Sequence, residues 1–191
     1  MPLFNSLTPT VVFQELPNEI SLCFSITGCK VGCKGCHSTE LWDANAGTEL
    51  SNAKFEQYLN RYESLISAVV FMGGEWQPEL LNQKLKNAKQ RGLKTCLYSG
   101  QELVDKCLDK HLDYLKLGPW RQDLGGLESS TTNQRFIELT SGNLLNHLFV
   151  KEPLNSVNKT NTIDINTVDT NIVDTNIVDN NRKTFKGNHD A

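Results

Sequence analysis

The sequence predicts an α/β fold, either a partial (β/α) barrel or an open sheet, over residues 1–153, and a disordered tail over residues 154–191. From residue 11 to about 150, short β-branched or aromatic runs alternate with longer segments in which apolar residues recur every three or four positions, which is typical of βα units. Beyond Pro153, Asn, Thr and Asp dominate and large side chains nearly vanish.

The folded part divides into six predicted strands and three predicted helices. The strands are residues 11–13, 20–26, 67–72, 93–98, 114–117 and 135–139, which are rich in β-branched and aromatic side chains. The first helix spans Asn52 to Leu65 with Ser51 as its N-cap. The second begins at Pro78 and ends at Gly92, and a short third helix spans Gln101 to Leu108.

The tail contains a near-repeat of five residues, VDTNI-VDTNI-VDNN. Stacked repeats of this kind would form a β-solenoid, but three short copies contain too few apolar residues to bury a core or cap its ends. Low hydrophobicity and low complexity therefore predict disorder.

The composition argues against several classes of function. A net charge of -3 and a pI near 5.8 provide no basic field that would concentrate nucleic acid or an anionic membrane. The first residues lack the pattern of a signal peptide, and no stretch approaches the roughly 20 apolar residues of a membrane span. We expect a cytoplasmic protein without nucleic-acid or membrane partners, in which closely spaced cysteines serve metal or redox chemistry.

Three of the six cysteines, Cys29, Cys33 and Cys36, form a Cys-x-x-x-Cys-x-x-Cys array after the second strand. Glycines at positions 28, 32 and 35 suit a loop that curls around a bulky centre, because they tolerate positive φ. A 4Fe-4S cluster usually takes four thiolates, so three would leave one iron open to another ligand. Structural zinc with His37 or Cys23 as fourth ligand is the alternative, and the spacing alone leaves both possibilities open.

Three strand ends carry further candidate residues. Gly73, Gly74 and Glu75 follow the strand at residues 67–72, at the edge where parallel α/β folds bind ligands, and Glu75 can accept hydrogen bonds from an ammonium group. Ser99 follows the next strand and is a candidate to bind a carboxylate or ribose. Lys116 either faces the same rim or is solvated. Each motif alone is also compatible with an ordinary turn.

Together these motifs resemble those of the radical S-adenosylmethionine enzymes and, within them, the activating proteins of anaerobic ribonucleoside-triphosphate reductase. The cysteine array with a Gly-Gly-Glu strand end is typical of the superfamily, and the later motifs are typical of the reductase activators. The motifs are TGCKVGCKGCHSTELW at 27–42, FMGGEW at 71–76, LYSG at 97–100, LKLGPW at 115–120 and LGGLESSTTNQRF at 124–136. The resemblance covers roughly residues 11–150, and the tail has no counterpart.

The resemblance implies a partial barrel of the radical S-adenosylmethionine type, with a 4Fe-4S cluster on Cys29, Cys33 and Cys36. S-adenosylmethionine would chelate the open iron through its amino and carboxylate groups. The residues expected along it are Gly35, Cys36, His37, Gly73, Gly74, Glu75 and Ser99, with His37 near the adenine. Many superfamily members have an aromatic residue where this chain has Gly35, so contact with adenine at that position would involve the backbone.

The implied reaction is the reductive cleavage of S-adenosylmethionine to methionine and a 5′-deoxyadenosyl radical, which takes a hydrogen atom from a backbone glycine of the reductase. No catalytic residue is expected beyond the ligands of cluster and cofactor. The large subunit of anaerobic ribonucleotide reductase is then substrate and partner, and an electron donor such as flavodoxin or ferredoxin is needed. The alternatives are a radical enzyme acting on another glycyl radical enzyme or on a small molecule, and a zinc-stabilised binding module.

Two sets of residues receive no role in the chemistry. The segment Thr131 to Arg135 is equally compatible with a clamp for a carboxylate through Arg135, a docking segment for the partner, and a turn before the last strand. Cys23, Cys96 and Cys107 lie in predicted strands or helix, where a free cysteine is typically a small buried apolar residue.

Overall fold

The structure, a computed structural model, describes residues 4–150. The predicted boundary after Pro153 and the predicted disorder of residues 154–191 lie outside the described residues. The strands of the described part are β1 (Asn5–Ser6), β2 (Thr10–Val12), β3 (Ser21–Ser25), β4 (Thr48–Glu49), β5 (Ala68–Met72), β6 (Lys94–Tyr98), β7 (Tyr114–Leu117) and β8 (Arg135–Glu138). The helices are α1 (Asn52–Arg61) and α2 (Pro78–Gln90), with 3-10 turns at Thr39–Leu41, Lys106–His111 and Asn146–Phe149.

Six strands form the main sheet in the order β2-β3-β5-β6-β7-β8. The four central strands are parallel, with Ser25 opposite Met72 and Met72 opposite Tyr98, and β2 and β8 add antiparallel strands at the two edges. The predicted α/β class is thereby confirmed. The strand order over residues 4–150 is linear, as in an open sheet, and the barrel stays a prediction.

Both α helices begin where the sequence predicts. The Ser51 side chain accepts the backbone N–H of Lys54 at 3.2 Å and caps α1, and Pro78 lies in the first turn of α2. The predicted end of α1 at Leu65 is wrong. The helix ends at Arg61, because Ser64 takes a left-handed conformation with φ of 65° that breaks the helical path. Neither helix of the described residues is long and apolar enough to cross a membrane.

The predicted short helix from Gln101 to Leu108 is also wrong. The chain forms 3-10 turns over Lys106–His111 instead, and they begin after Asp105, whose carboxylate accepts the backbone N–H of Cys107 at 2.8 Å. This later start leaves Cys107 exposed, contrary to prediction. The six predicted strands agree with β2, β3, β5, β6, β7 and β8 within one residue at each end, whereas the short β1–β4 pair was not predicted.

The sheet separates two apolar clusters. The helix-covered face is built around Phe24, whose ring centroid lies 5.1 Å from that of Phe55 and 5.4 Å from that of Phe71. The opposite face contains Cys23, Cys96 and Phe136, with Phe149 packed against Phe136. The predicted burial of Cys23 and Cys96 is confirmed. Successive residues of β3 therefore point to opposite faces, as strand geometry requires.

Replacing Phe24 should destabilise the domain far more than replacing an exposed phenylalanine. Phe24 is fully buried, so Phe24→Ala removes ring contacts on both sides and should lower the free energy of unfolding by about 3–5 kcal/mol. Phe13 is 66% exposed, so Phe13→Ala is the matched control and should change it by less than about 1 kcal/mol. Urea unfolding measures both, and equal losses would contradict this description of the core.

Candidate functional site

The cysteine loop leaves the carboxyl end of β3 and is fastened at both ends. On one side, the Thr27 backbone N–H donates to the carbonyl of Asn5 at 3.0 Å, and the Thr27 hydroxyl donates to the carbonyl of Ala46 at 3.1 Å. On the other side, the N–H groups of Gly28 and Cys29 donate to the carbonyl of Leu41 at 2.7 and 3.0 Å. The fold thus closes a loop that begins and ends at the same edge of the sheet.

The three cysteines of this loop are half-buried. Cys33 and Cys36 are joined by a turn, in which the Cys36 N–H donates to the carbonyl of Cys33 at 3.2 Å, and the Ser38 N–H donates to Sγ of Cys36 at 3.4 Å. Gly28, Gly32 and Gly35 all have positive φ, of 96°, 65° and 71°, as their positions in the loop led us to expect. Within residues 4–150, no three Cys, His, Asp or Glu side chains are gathered closely enough to hold a metal ion.

The donor chemistry of the loop nevertheless suits an iron–sulfur cluster. Burial raises the pKa of the Cys29 thiol, and the nearby charges of Glu75, Cys33 and Cys36 raise it further. Because a bound cation deprotonates a coordinating thiol, metal binding would release protons from this loop.

A buried polar group lies at the carboxyl ends of β5, β6 and β7, beside the cysteine loop. The Ser99 hydroxyl donates to Oε1 of Glu75 at 2.6 Å, and Ser99 accepts the N–H of Gln101 at 2.9 Å. Lys116 donates from Nζ to the carbonyl of Gly118 at 2.7 Å. Glu75, Ser99 and Lys116 are all at most 8% exposed, so the interpretation of Lys116 as a solvated side chain is wrong.

The remaining acceptor of this group is the second carboxylate oxygen of Glu75. Oε2 of Glu75 is buried and has no hydrogen-bond partner among the described residues. Burial raises the pKa of Glu75, while the Ser99 hydrogen bond and the charge of Lys116 lower it. Burial lowers the pKa of Lys116 to about 8, against the opposing charges of Cys33, Glu75 and Glu102. A buried acceptor without a partner is costly unless a ligand supplies the donor.

Close packing against aromatic side chains leaves little room for a side chain at Gly73 or Gly74. Their φ angles are 83° and 101°, and both residues lie against aromatic side chains. A Cβ at Gly73 would lie 2.7 Å from the ring of Trp76, and one at Gly74 would lie 3.2 Å from the ring of Phe4. The predicted role of the two glycines beside a ligand stays a prediction.

Trp120 is a site residue to which the sequence analysis assigned no role, although it ends the Gly-Pro-Trp motif. Its ring centroid lies 4.4 Å from that of His37, with the planes inclined at 47°. A Cβ at Gly35 would lie 3.8 Å from Nε1 of Trp120 and 3.2 Å from the Gln122 side chain. The turn after β7 therefore contacts the loop on both sides of Cys36.

Two clefts flank Trp120. One, of about 450 Å³, is lined by His37, Met72 and Tyr98 among others, and thus lies at the carboxyl ends of β5 and β6. The other, of about 530 Å³, is lined by Lys34 and the residues that follow Trp120. The space next to the cysteine loop is large enough for a small organic molecule.

The segment Thr131 to Arg135 is only partly connected to the site. Nη2 of Arg135 donates to the backbone carbonyl of Glu102 at 3.2 Å, and Arg135 is exposed. Arg135 is therefore engaged with the protein itself, which disfavours its interpretation as a carboxylate clamp. Gln134 is buried and lines the smaller cleft.

Comparison with known proteins bears on the same part of the chain. Residues 20–125 match the family model of the 4Fe-4S single cluster domain, a range that includes the cysteine loop, Glu75, Ser99 and Lys116. A stretch of 104 residues is 33% identical to the pyruvate formate-lyase-activating enzyme of Clostridium pasteurianum. That match covers 45% of this chain and 44% of the relative, so the chain spans less than half the length of this curated protein.

Replacing Gly73 should be more damaging than replacing a glycine of similar conformation elsewhere. Gly73 and Gly92 have φ of 83° and 75°, so alanine at either position costs about 1–2 kcal/mol of backbone strain. Only Gly73→Ala also forces a Cβ against the Trp76 ring, which should add about 1–3 kcal/mol. Urea unfolding of Gly73→Ala and Gly92→Ala measures the difference, and equal destabilisation would contradict the close packing of Trp76.

Proposed function

This chain belongs to the 4Fe-4S single cluster domain family, and we propose that it is a radical S-adenosylmethionine enzyme that generates a glycyl radical on a protein partner. The observation that carries the proposal is the juxtaposition of the three-cysteine loop with Glu75, whose buried Oε2 lacks a partner in the described residues. An open iron would bind the amino and carboxylate groups of S-adenosylmethionine, and the Glu75 carboxylate could accept hydrogen bonds from its ammonium group.

In this proposal Cys29, Cys33 and Cys36 hold the cluster, and the absence of a fourth thiolate leaves one iron open. When bound, such a cluster supplies the electron that breaks a carbon–sulfur bond of S-adenosylmethionine and so starts the radical chemistry.

Family membership favours the cluster over zinc. The surroundings of Cys23 do so too, because it is buried among Val70 and Cys96 on the sheet, where burial raises its pKa to about 12.

The protein residues then bind and orient the methionyl end of the cofactor. Glu75 accepts the ammonium group through Oε2, and the Ser99 hydroxyl holds the carboxylate of Glu75 in place. Ser99 thus acts through Glu75, since its only hydroxyl proton is directed to that carboxylate. The backbone of Gly73 and Gly74 borders the same end. Gly35, Cys36 and His37 border the adenine end beside Trp120.

For the partner we propose the large subunit of anaerobic ribonucleotide reductase, with the hydrogen atom taken from a backbone glycine. The resemblance of the Gly-Pro-Trp and Thr-Thr-Asn-Gln-Arg motifs to those of reductase activators supports this choice. The proposal includes the partial barrel of this enzyme class, a cytoplasmic location, and an electron donor such as flavodoxin or ferredoxin. Another glycyl radical enzyme is the second candidate, favoured by the similarity to a pyruvate formate-lyase-activating enzyme.

Replacing a cluster cysteine should abolish the iron centre. After anaerobic reconstitution with iron and sulfide, Cys33→Ala should lose the visible absorption of the cluster and all cleavage of S-adenosylmethionine under dithionite, because two thiolates cannot hold it. Cys107 is exposed and distant in sequence, so Cys107→Ala is the matched control and should retain both. A colourless wild-type protein that holds zinc and cleaves nothing would contradict the proposal.

The partner can be identified by the radical itself. Reconstituted protein with S-adenosylmethionine and a reductant should produce a glycyl radical signal in electron paramagnetic resonance when mixed with the reductase subunit. The matched sample contains pyruvate formate-lyase and should remain silent. A signal only in the sample with pyruvate formate-lyase would contradict the reductase as partner and favour another glycyl radical enzyme.

A further inference from the structure

The position of Trp120 determines the shape of the space beside the third cysteine. Trp120 lines both flanking clefts, and its ring packs on His37, the residue directly after Cys36. Its own polar atom does not hold it in place, because Nε1 is buried without a hydrogen-bond partner in residues 4–150. Hydrogen bonds from neighbouring residues therefore help to hold the turn that presents this ring.

Asn133, two residues before β8, is the side chain that reaches this turn. Nδ2 of Asn133 donates to the carbonyl of Pro119 at 3.0 Å. The backbone is equally close, since a Cβ at Gly118 would lie 3.1 Å from the carbonyl oxygen of Asn133 and Gly118 has φ of 102°. The contact thus secures the residue immediately before Trp120.

The sheet brings the chain around Asn133 close to Pro119. The antiparallel pair β7–β8 ends with Leu117 opposite Arg135, and the residues beyond this pair stay close enough for the Asn133–Pro119 hydrogen bond. Thr132 helps to hold the neighbouring backbone in position. Its hydroxyl donates to the carbonyl of Gly125 at 3.3 Å and accepts the N–H of Gln134 at 3.1 Å. Hydrogen bonds from Thr132 and Asn133 therefore hold the segment that leads into β8 against the turns around Gly125 and Pro119.

We propose that Asn133 is a positioning residue for the S-adenosylmethionine site: by holding Pro119 it fixes Trp120 against His37 beside Cys36. This inference rests on the proposed function. It assigns to the Thr-Thr-Asn-Gln-Arg segment a role in shaping the cofactor cleft. Loss of the amide donor removes the restraint on Pro119, whereas Lys116 still holds the carbonyl of Gly118, so the wall of the cleft is loosened while the cluster ligands stay in place.

The position of Trp120 can be measured without turnover. The chain contains three tryptophans, so the full-length protein labelled with 5-fluorotryptophan gives three fluorine resonances, of which Trp120→Phe identifies one. Asn133→Ala should move the Trp120 resonance toward that of free fluorotryptophan and leave those of Trp42 and Trp76 unchanged. Asn133→Asp, which keeps the shape but lacks the N–H donor, should act in the same direction and serves if the alanine variant does not fold.

Asn143→Ala is the matched control, because Asn143 is exposed and its side chain makes no hydrogen bond within residues 4–150. It should leave all three resonances in place. A Trp120 resonance that is the same in wild type, Asn133→Ala and Asn133→Asp would overturn the inference.

The consequence for the cofactor is tested by binding to the reconstituted, oxidised full-length protein, in which no cleavage occurs. The Kd for S-adenosylmethionine should rise about two- to tenfold in Asn133→Ala, the range expected for one lost hydrogen bond, with iron content unchanged. An unaltered Kd would overturn this inference alone. A wild-type protein that binds no S-adenosylmethionine would overturn the proposed function together with it.

Discussion

Parallel hydrogen bonding between β3, β5, β6 and β7 brings four loops to one edge of the sheet. Ser25, Met72, Tyr98 and Lys116 lie side by side across these strands, so the cysteine loop, Glu75, Ser99 and the Trp120 turn begin within a few residues of that row. These segments are separated by up to about 90 residues in the chain. Only the common direction of the strands places them together, as in other parallel sheets whose ligands bind at the carboxyl ends.

The cost of this arrangement is concentrated in its buried charges. Glu75 and Lys116 are both nearly inaccessible, and only one carboxylate oxygen of Glu75 is paired within the described residues. Apolar side chains at these strand ends would avoid this cost, because a charged group loses its hydration when it is buried. Titratable groups with shifted pKa values are often found at functional sites. The proposed function would account for this cost, because a bound ammonium group would supply the missing donor to Oε2 of Glu75.

The edge strand β8 and the residues that lead into it lie outside the range that matches the family model. That range ends at residue 125, after Trp120 but before Asn133. The cysteine loop and the buried polar group lie inside it, whereas the side chain that secures the Trp120 turn lies beyond it. Asn133 can do this because it lies two residues before β8, and the pairing of Arg135 with Leu117 keeps its side chain close to Pro119. Residues beyond the matched range therefore support the turn of Trp120, which lines the cleft.

The sequence by itself determined the elements whose signals are local. The strands followed from short apolar runs, the start of α1 from Ser51 and the start of α2 from Pro78. The cysteine array and the Gly-Gly-Glu strand end were identified as candidate site residues for two local reasons. Closely spaced thiols can bind one metal centre, and glycines at a strand end let the backbone approach a ligand. Where local signals compete, prediction was wrong: the apolar period around α1 continued to Leu65, but the left-handed Ser64 ended the helix earlier.

Only the tertiary structure decided which of these residues meet. Ser99 and Glu75 are 24 positions apart and share a hydrogen bond, Lys116 is buried beside them, and Trp120 packs on His37 from across the sheet. Such contacts depend on strand order and register, which bring distant segments together. Neither produces a local sequence pattern from which the contacts could be predicted. Local chemistry therefore identified the cysteine loop, and long-range pairing determined the cleft around it.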